Sequence, residues 1–188
     1  MSVFIVERDA RAAMFASTCR RAGRVLALGL LVAGLAALQP VQVQAQASNK
    51  AVDDLMAQAQ SAMSKGRPDD AVPLLRKAIE MAPDRPELYM MRSRARDSAG
   101  KFDAALEDAS KYIELAPNDA YGYLNRARVY MSLDKSAAAL EDANKAISLE
   151  PNEPDAYYRR ADIYVDMGKD AEAKADEAKA DELDKKAR

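Results

Sequence analysis

KAIEMAPD at 77–84, KYIELAPN at 111–118 and KAISLEPN at 145–152 are one phrase written three times, with prolines at 83, 117 and 151, each 34 residues after the last. A period of that length, with room for two helices, belongs to a stacked helical repeat. Its units cannot bury their apolar faces alone and must lean on their neighbours. Working outward from the prolines, the chain divides into units at 52–85, 86–119, 120–153 and 154–187. The fold class expected is all-α, a solenoid of helix-turn-helix units.

Each column of that alignment has a packing reason. Repeat position 20 is Ala71, Ala105, Ala139 and Ala173, small enough to let the two helices of a unit approach closely. Position 28 is Ile79, Ile113, Ile147 and then Asp181, and position 30 is Met81, Leu115, Leu149 and Leu183, continuing an apolar face at helical spacing. Position 4 is Leu55, Tyr89, Tyr123 and Tyr157, and position 11 is Ala62, Arg96, Tyr130 and Tyr164. The aromatics at these positions read as solenoid core. Gly66, Gly100 and Gly168 share position 15, where a helix-ending left-handed residue is expected, and Asp134 takes that slot in the third unit. Pro86 and Pro154 open first helices, where a missing N–H costs nothing. Pro73 is awkward, because it falls in or just past the first turn of a second helix. The last unit ends in AKADEAKADELDKKAR, with Glu177 and Asp181 at inner-face positions, which reads as a solvating cap helix.

This spacing resembles that of the tetratricopeptide repeat family over essentially all of 48–188. The resemblance implies a right-handed α-solenoid that binds protein or peptide partners and carries no catalytic site. The chain departs from the family pattern in detail. The usual Trp at position 4 is Tyr in three units, and the usual Leu-Gly pair at positions 7 and 8 becomes Arg92-Ser93, Arg126-Ala127 and Arg160-Ala161. Position 23 of those same units is Asp108, Asp142 and Asp176, whereas the first unit has Gln58 and Leu74 at positions 7 and 23. The charges come and go together. Arg92–Asp108, Arg126–Asp142 and Arg160–Asp176 are therefore expected to be structural ion pairs joining the two helices of a unit, since a half-buried charge left alone is costly.

The resemblance also implies that a concave groove is lined by first-helix positions 2, 5, 6, 9, 12 and 13. The first unit would give Asp53, Met56, Gln60 and Met63, and the second Glu87, Met90, Met91 and Arg94. Tyr121, Leu124, Asn125, Arg128 and Met131 would follow from the third, then Tyr158, Arg159, Asp162 and Val165 from the fourth. The partner-binding residues expected are Met90, Arg94, Tyr121, Leu124, Asn125, Arg128, Tyr158 and Arg159. Methionine suits adaptable apolar contacts and arginine suits carboxylates, so an amphipathic helix or an extended acidic segment would fit. The five-residue carboxylate clamp of heat-shock co-chaperones in this family matches only at Asn125 and Arg159. Met90, Arg94 and Asp155 stand at its other positions, so that particular mode is not expected.

Residues 1–47 read as a cleavable signal peptide and not as fold. Arg20, Arg21 and Arg24 precede an apolar run of 14 residues, Val25 to Leu38, with small residues before a cleavage point after Ala45 or Ala47. A bilayer-spanning helix needs about 20 apolar residues, so no stable membrane span is expected after cleavage. Met14 makes a more ordinary start for such a leader than Met1. The location expected is periplasmic or secreted. Cleavage would remove Cys19, the single cysteine, together with five arginines and two acidic residues, leaving 23 basic and 28 acidic residues and a net charge near −5. That balance disfavours nucleic acid as a partner.

The chain has no histidine, and it has no glycine-rich phosphate loop and no nucleophile elbow. Asp53–Asp54 and Asp69–Asp70 lie at helix starts, where carboxylates complement the helix dipole. No catalytic residue, metal ligand or cofactor is expected. Two functional readings follow: an adaptor that grips a partner in its groove, and a self-assembling or envelope-complex subunit that uses its ends or convex face.

Overall fold

The structure, a computed structural model, describes residues 49–187. The expected leader, 1–47, lies outside them. Eight helices follow one another among the described residues: α1 (49–64), α2 (Pro68–Met81), α3 (Pro86–Ser98), α4 (Phe102–Leu115), α5 (Ala120–Ser132), α6 (Ser136–Leu149), α7 (Pro154–Asp166) and α8 (Asp170–Ala187). Successive helices pack on one another, and α5 also touches both α3 and α7. The stack of helix pairs is an α-solenoid, with α3, α5 and α7 as adjacent first helices.

Proline and glycine set the punctuation. Pro68, Pro86 and Pro154 occupy the first helical turn, where the missing N–H has no partner to lose. At the turn inside each pair the backbone goes left-handed, with φ of +68° at Gly66, +72° at Gly100, +70° at Gly168 and +56° at Asp134. Each of these residues lets the next N–H reach back to the carbonyl of repeat position 11: Arg67 to Ala62 at 2.9 Å, Lys101 to Arg96 at 2.8 Å, Lys135 to Tyr130 at 2.9 Å and Lys169 to Tyr164 at 2.8 Å. That closes otherwise orphaned carbonyls at the helix ends. Pro73 sits inside α2, one turn past its start, and removes the N–H that would reach Asp69.

The core is built largely from alanine. Ala59, Ala71, Ala105, Ala127, Ala139, Ala143, Ala146 and Ala156 are fully buried. Helices carrying small residues at positions 8, 20 and 24 can close to short separation, and the larger Leu75, Leu88, Val129 and Ile163 fill the remaining space. The apolar positions 28 and 30 are more peripheral than expected. Ile79, Ile113 and Ile147 are half-buried and Met81 is 38% exposed.

Volume is matched from one pair to the next. Position 27 of one unit meets position 3 of the following one, as Ala78 with Leu88, Tyr112 with Gly122 and Ala146 with Ala156. A methyl group added at Gly122 would lie 2.5 Å from Cδ1 of Tyr112. Tyr112 is itself pinned by a hydrogen bond from its hydroxyl to Asp119, so the glycine is the void its ring requires.

Candidate functional site

Three arginines at position 7 form the same local assembly. Arg92 donates to both carboxylate oxygens of Asp108 at 2.8 and 2.7 Å, Arg126 to those of Asp142 at 2.8 and 2.8 Å, and Arg160 to those of Asp176 at 2.7 and 2.8 Å. The guanidinium also lies over the position-4 ring, 5.8 Å from Tyr89, 5.9 Å from Tyr123 and 5.7 Å from Tyr157. Each of those tyrosines donates its hydroxyl to the carbonyl of the position-32 proline: Pro83 at 3.0 Å, Pro117 at 3.0 Å and Pro151 at 2.9 Å. The assembly ties each first helix to the second helix of its own pair through the arginine and to the chain leaving the preceding pair through the tyrosine. Hydrogen bonding to its aspartate raises each arginine's pKa, against the opposing effect of burial.

Arg96 adds a further donor to Asp108 at 2.8 Å. Arg126 and Arg160 take a second ring at position 11 instead, Tyr130 at 5.9 Å and Tyr164 at 5.8 Å. Arg160 also reaches back to Asn144 of the preceding pair at 2.7 Å.

The other face of the first helices carries a concavity of about 280 Å³. Its walls are Arg94 from α3, Tyr121, Leu124, Asn125 and Arg128 from α5, and Asp155, Tyr158, Arg159 and Asp162 from α7. A neighbouring concavity of about 250 Å³ lies over α1 and α3, between Gln60, Met63, Ser64, Met91 and Arg94. Seven of the eight partner-binding residues read from the sequence meet in the first. Met90 is half-buried and lines neither.

The floor of the larger concavity is a hydrogen-bonded network spanning two repeats. Asn125 is buried, donates from its amide nitrogen to Ser93 Oγ at 3.0 Å and accepts from Arg128 at 3.2 Å. Arg128 also pairs with Asp97 at 2.6 Å. Burial pushes the Arg128 pKa down, and the like charges of Arg94 and Arg159 push it the same way, against the pull of Asp97. Both ends of the Asn125 amide are thus engaged within the protein, which makes it a cross-piece beneath the groove. Tyr158 donates to Asp181 of α8 at 2.7 Å, a bond that pushes its hydroxyl pKa up to about 12.

Sequence reasoning missed this network. Its links join residues 31 and 32 apart, one repeat minus two or three positions, and no single column shows them. It also passed over Asp155 as a wall of the groove. Among the described residues no group of three His, Cys, Asp or Glu side chains is placed to hold a metal, and no helix is long and apolar enough to cross a membrane.

A stack of paired helices with a concave face and polar joints is a helical-repeat scaffold for protein–protein interaction. The chain belongs to the tetratricopeptide repeat family: three models of that repeat match it, at residues 56–120, 120–153 and 143–175. No curated protein matches the chain. Among solved structures, the crystal structure of MamA is 27% identical with a TM-score of 0.64, over 72% of this chain and 80% of that one. A thermophilic tetratricopeptide repeat protein of Thermus thermophilus is 22% identical with a TM-score of 0.66, over 71% and 74%. The first such domain of Spaghetti (RPAP3), bound to the HSP90 peptide SRMEEVD, is 23% identical with a TM-score of 0.58, over 63% and 94%. The last two likenesses concern the fold.

Proposed function

We propose that this chain is a non-catalytic adaptor, exported to the cell envelope, that holds a peptide segment of a partner protein in its concave groove. The observation that carries the reading is the contrast between two sets of charges. The arginines joining helix pairs are saturated by aspartates and rings, whereas Arg94 on the groove wall is exposed and has no carboxylate partner among the described residues. Tyr121, 45% exposed beside it, offers a large apolar surface with a polar tip, the kind of residue that dominates recognition surfaces. Export rests on the sequence of residues 1–47, and the absence of histidine together with a single cysteine supports a role without catalysis.

Photo-crosslinking in intact cells tests the reading, with a photoreactive residue replacing Tyr121 and a control replacing exposed Glu177 on α8. A discrete adduct from position 121, missing from 177 and lost on Arg94→Asp, is the expected result. Adducts of the chain with itself alone would shift the assignment to self-assembly, and none from position 121 would remove the groove as the working surface. Amino-terminal sequencing of the envelope fraction checks export, with a start at Gln46 or Ser48 expected and an intact leader contradicting it.

A further inference from the structure

The two concavities share one wall residue, Arg94, and the larger one is electrically lopsided. On the α3 side, Arg94 has only a long contact of 3.4 Å to the Tyr121 hydroxyl. On the α7 side, Asp155 is exposed and has neither an ion pair nor a hydrogen bond among the described residues. Between them Arg128 is held by Asp97 at 2.6 Å, and Arg159 makes a long, exposed contact of 3.4 Å with Asp162 on its own helix. The groove therefore presents a spare cation at one end and a spare carboxylate at the other. Past the cation, between α1 and α3, Met63 and Met91 offer an apolar recess.

We propose, resting on the groove-binding reading above, that the ligand is a bipolar segment whose side chains are read in a fixed order along the groove. It places an apolar side chain between Met63 and Met91, a Glu or Asp on Arg94, and a Lys or Arg on Asp155. Met91 and Arg94 lie three residues apart on α3 and so share a face, which puts the apolar and acidic positions of the ligand within about two residues of each other in an extended chain. Adjacent helices pack about 8–10 Å apart, so α3 and α7 stand about two such spacings from each other. With both side chains leaning into one concavity, the acidic and basic positions of an extended ligand fall about four residues apart at 3.3 Å per residue. A ligand running the other way would set like charges against each other at both ends, which is the repulsive half of specificity.

The test is selection of a displayed library of random linear dodecapeptides on the full chain, repeated on the charge-swapped variant Arg94→Asp/Asp155→Arg. Both positions are exposed, and circular dichroism of the swapped chain serves as the check that its helices are kept. The expected result is enrichment of peptides ordered apolar, acidic, basic on the native chain, with affinity falling about tenfold or more on Arg94→Gln, the scale of one charged hydrogen bond. On the swapped chain the acidic and basic positions should exchange. Peptides that are displaced by Tyr121→Arg but show no charge order, or the same order on both chains, overturn the bipolar assignment and leave groove binding standing. Failure to enrich any peptide sensitive to Tyr121→Arg overturns both.

Discussion

Asp142→Leu should strand a charge, and removing its partner should then recover stability. Arg126 and Asp142 make two charge-assisted hydrogen bonds of 2.8 Å, and their side chains are 22% and 8% exposed. Breaking a fully buried pair from one side costs about 3–5 kcal/mol. Arg126 retains some access to water and can shift toward it, so about 2–3 kcal/mol is expected for Asp142→Leu. The pair α1/α2 supplies the control, because it carries Leu55, Gln58 and Leu74 where α5/α6 carries Tyr123, Arg126 and Asp142. Adding Arg126→Gln removes the stranded cation, and the triple variant with Tyr123→Leu should return to within about 1 kcal/mol of the native chain, as apolar replacements of buried pairs often do. Urea denaturation is the assay, followed by both circular dichroism and tyrosine fluorescence, since the chain has no tryptophan. Repeat stacks can unfold in parts, so the two probes must share a midpoint before free energies are compared. A cost below about 1 kcal/mol for Asp142→Leu, or no recovery on removing Arg126, would refute the view that these charges are held by each other and not by solvent.

Three further outcomes follow from the packing and the titrating groups. Gly122→Ala gains about 1 kcal/mol of helix propensity but drives a methyl into the pinned Tyr112 ring, so a net loss of about 1–2 kcal/mol is expected by thermal melting; Tyr112→Ala/Gly122→Leu, copying Ala78 with Leu88, should be more stable than Tyr112→Ala alone. Asp134→Gly relieves a left-handed residue at φ +56° and should stabilise by a few tenths to about 1 kcal/mol, with a lowered melting temperature speaking against it. Tyr158 has its pKa pushed up to about 12 by its bond to Asp181, so its contribution is fully present below the unfolded value of about 10 and is lost as pH rises toward 12. The stability gap between the native chain and Tyr158→Phe should accordingly narrow from pH 9 to pH 11.5 in paired denaturation curves, and a constant gap would contradict the assignment.

The period, the helix-ending residues and the all-helical class were legible because each rests on local chemistry. A left-handed residue every 34 positions announces itself even when the third instance is aspartate, since the column around it is unchanged. The true depth of the core was harder to read. Alanines at positions 24 and 27 carry little hydrophobic signal, yet Ala78, Ala109, Ala143 and Ala146 are fully buried while the isoleucines at position 28 are not. The compensation of Tyr112 by Gly122 escapes column reading, because the two belong to different units and different columns. Asn125 looked like a ligand contact by its register, and only the Ser93 and Arg128 contacts from the adjacent helix and the adjacent turn show its amide already engaged.

The alanine core and the polar joints explain each other. Burying a methyl group yields about 0.8 kcal/mol, well below a leucine, so a core of this composition has little energy to distinguish one helix register from a neighbouring one. Small side chains also slide, because they interdigitate shallowly. A guanidinium held by two carboxylate oxygens and capped by an aromatic ring has one geometry, and a displacement of one residue along the helix would break every part of it. The first pair, lacking that device, has instead the leucine-rich contacts of Leu55, Leu75 and Leu88. Register in this solenoid is thus set by apolar volume at one end and by directed charge along the rest. Those charges are consumed in pairs away from the concave face, whereas Arg94 and Asp155 stand on that face with no oppositely charged partner among the described residues.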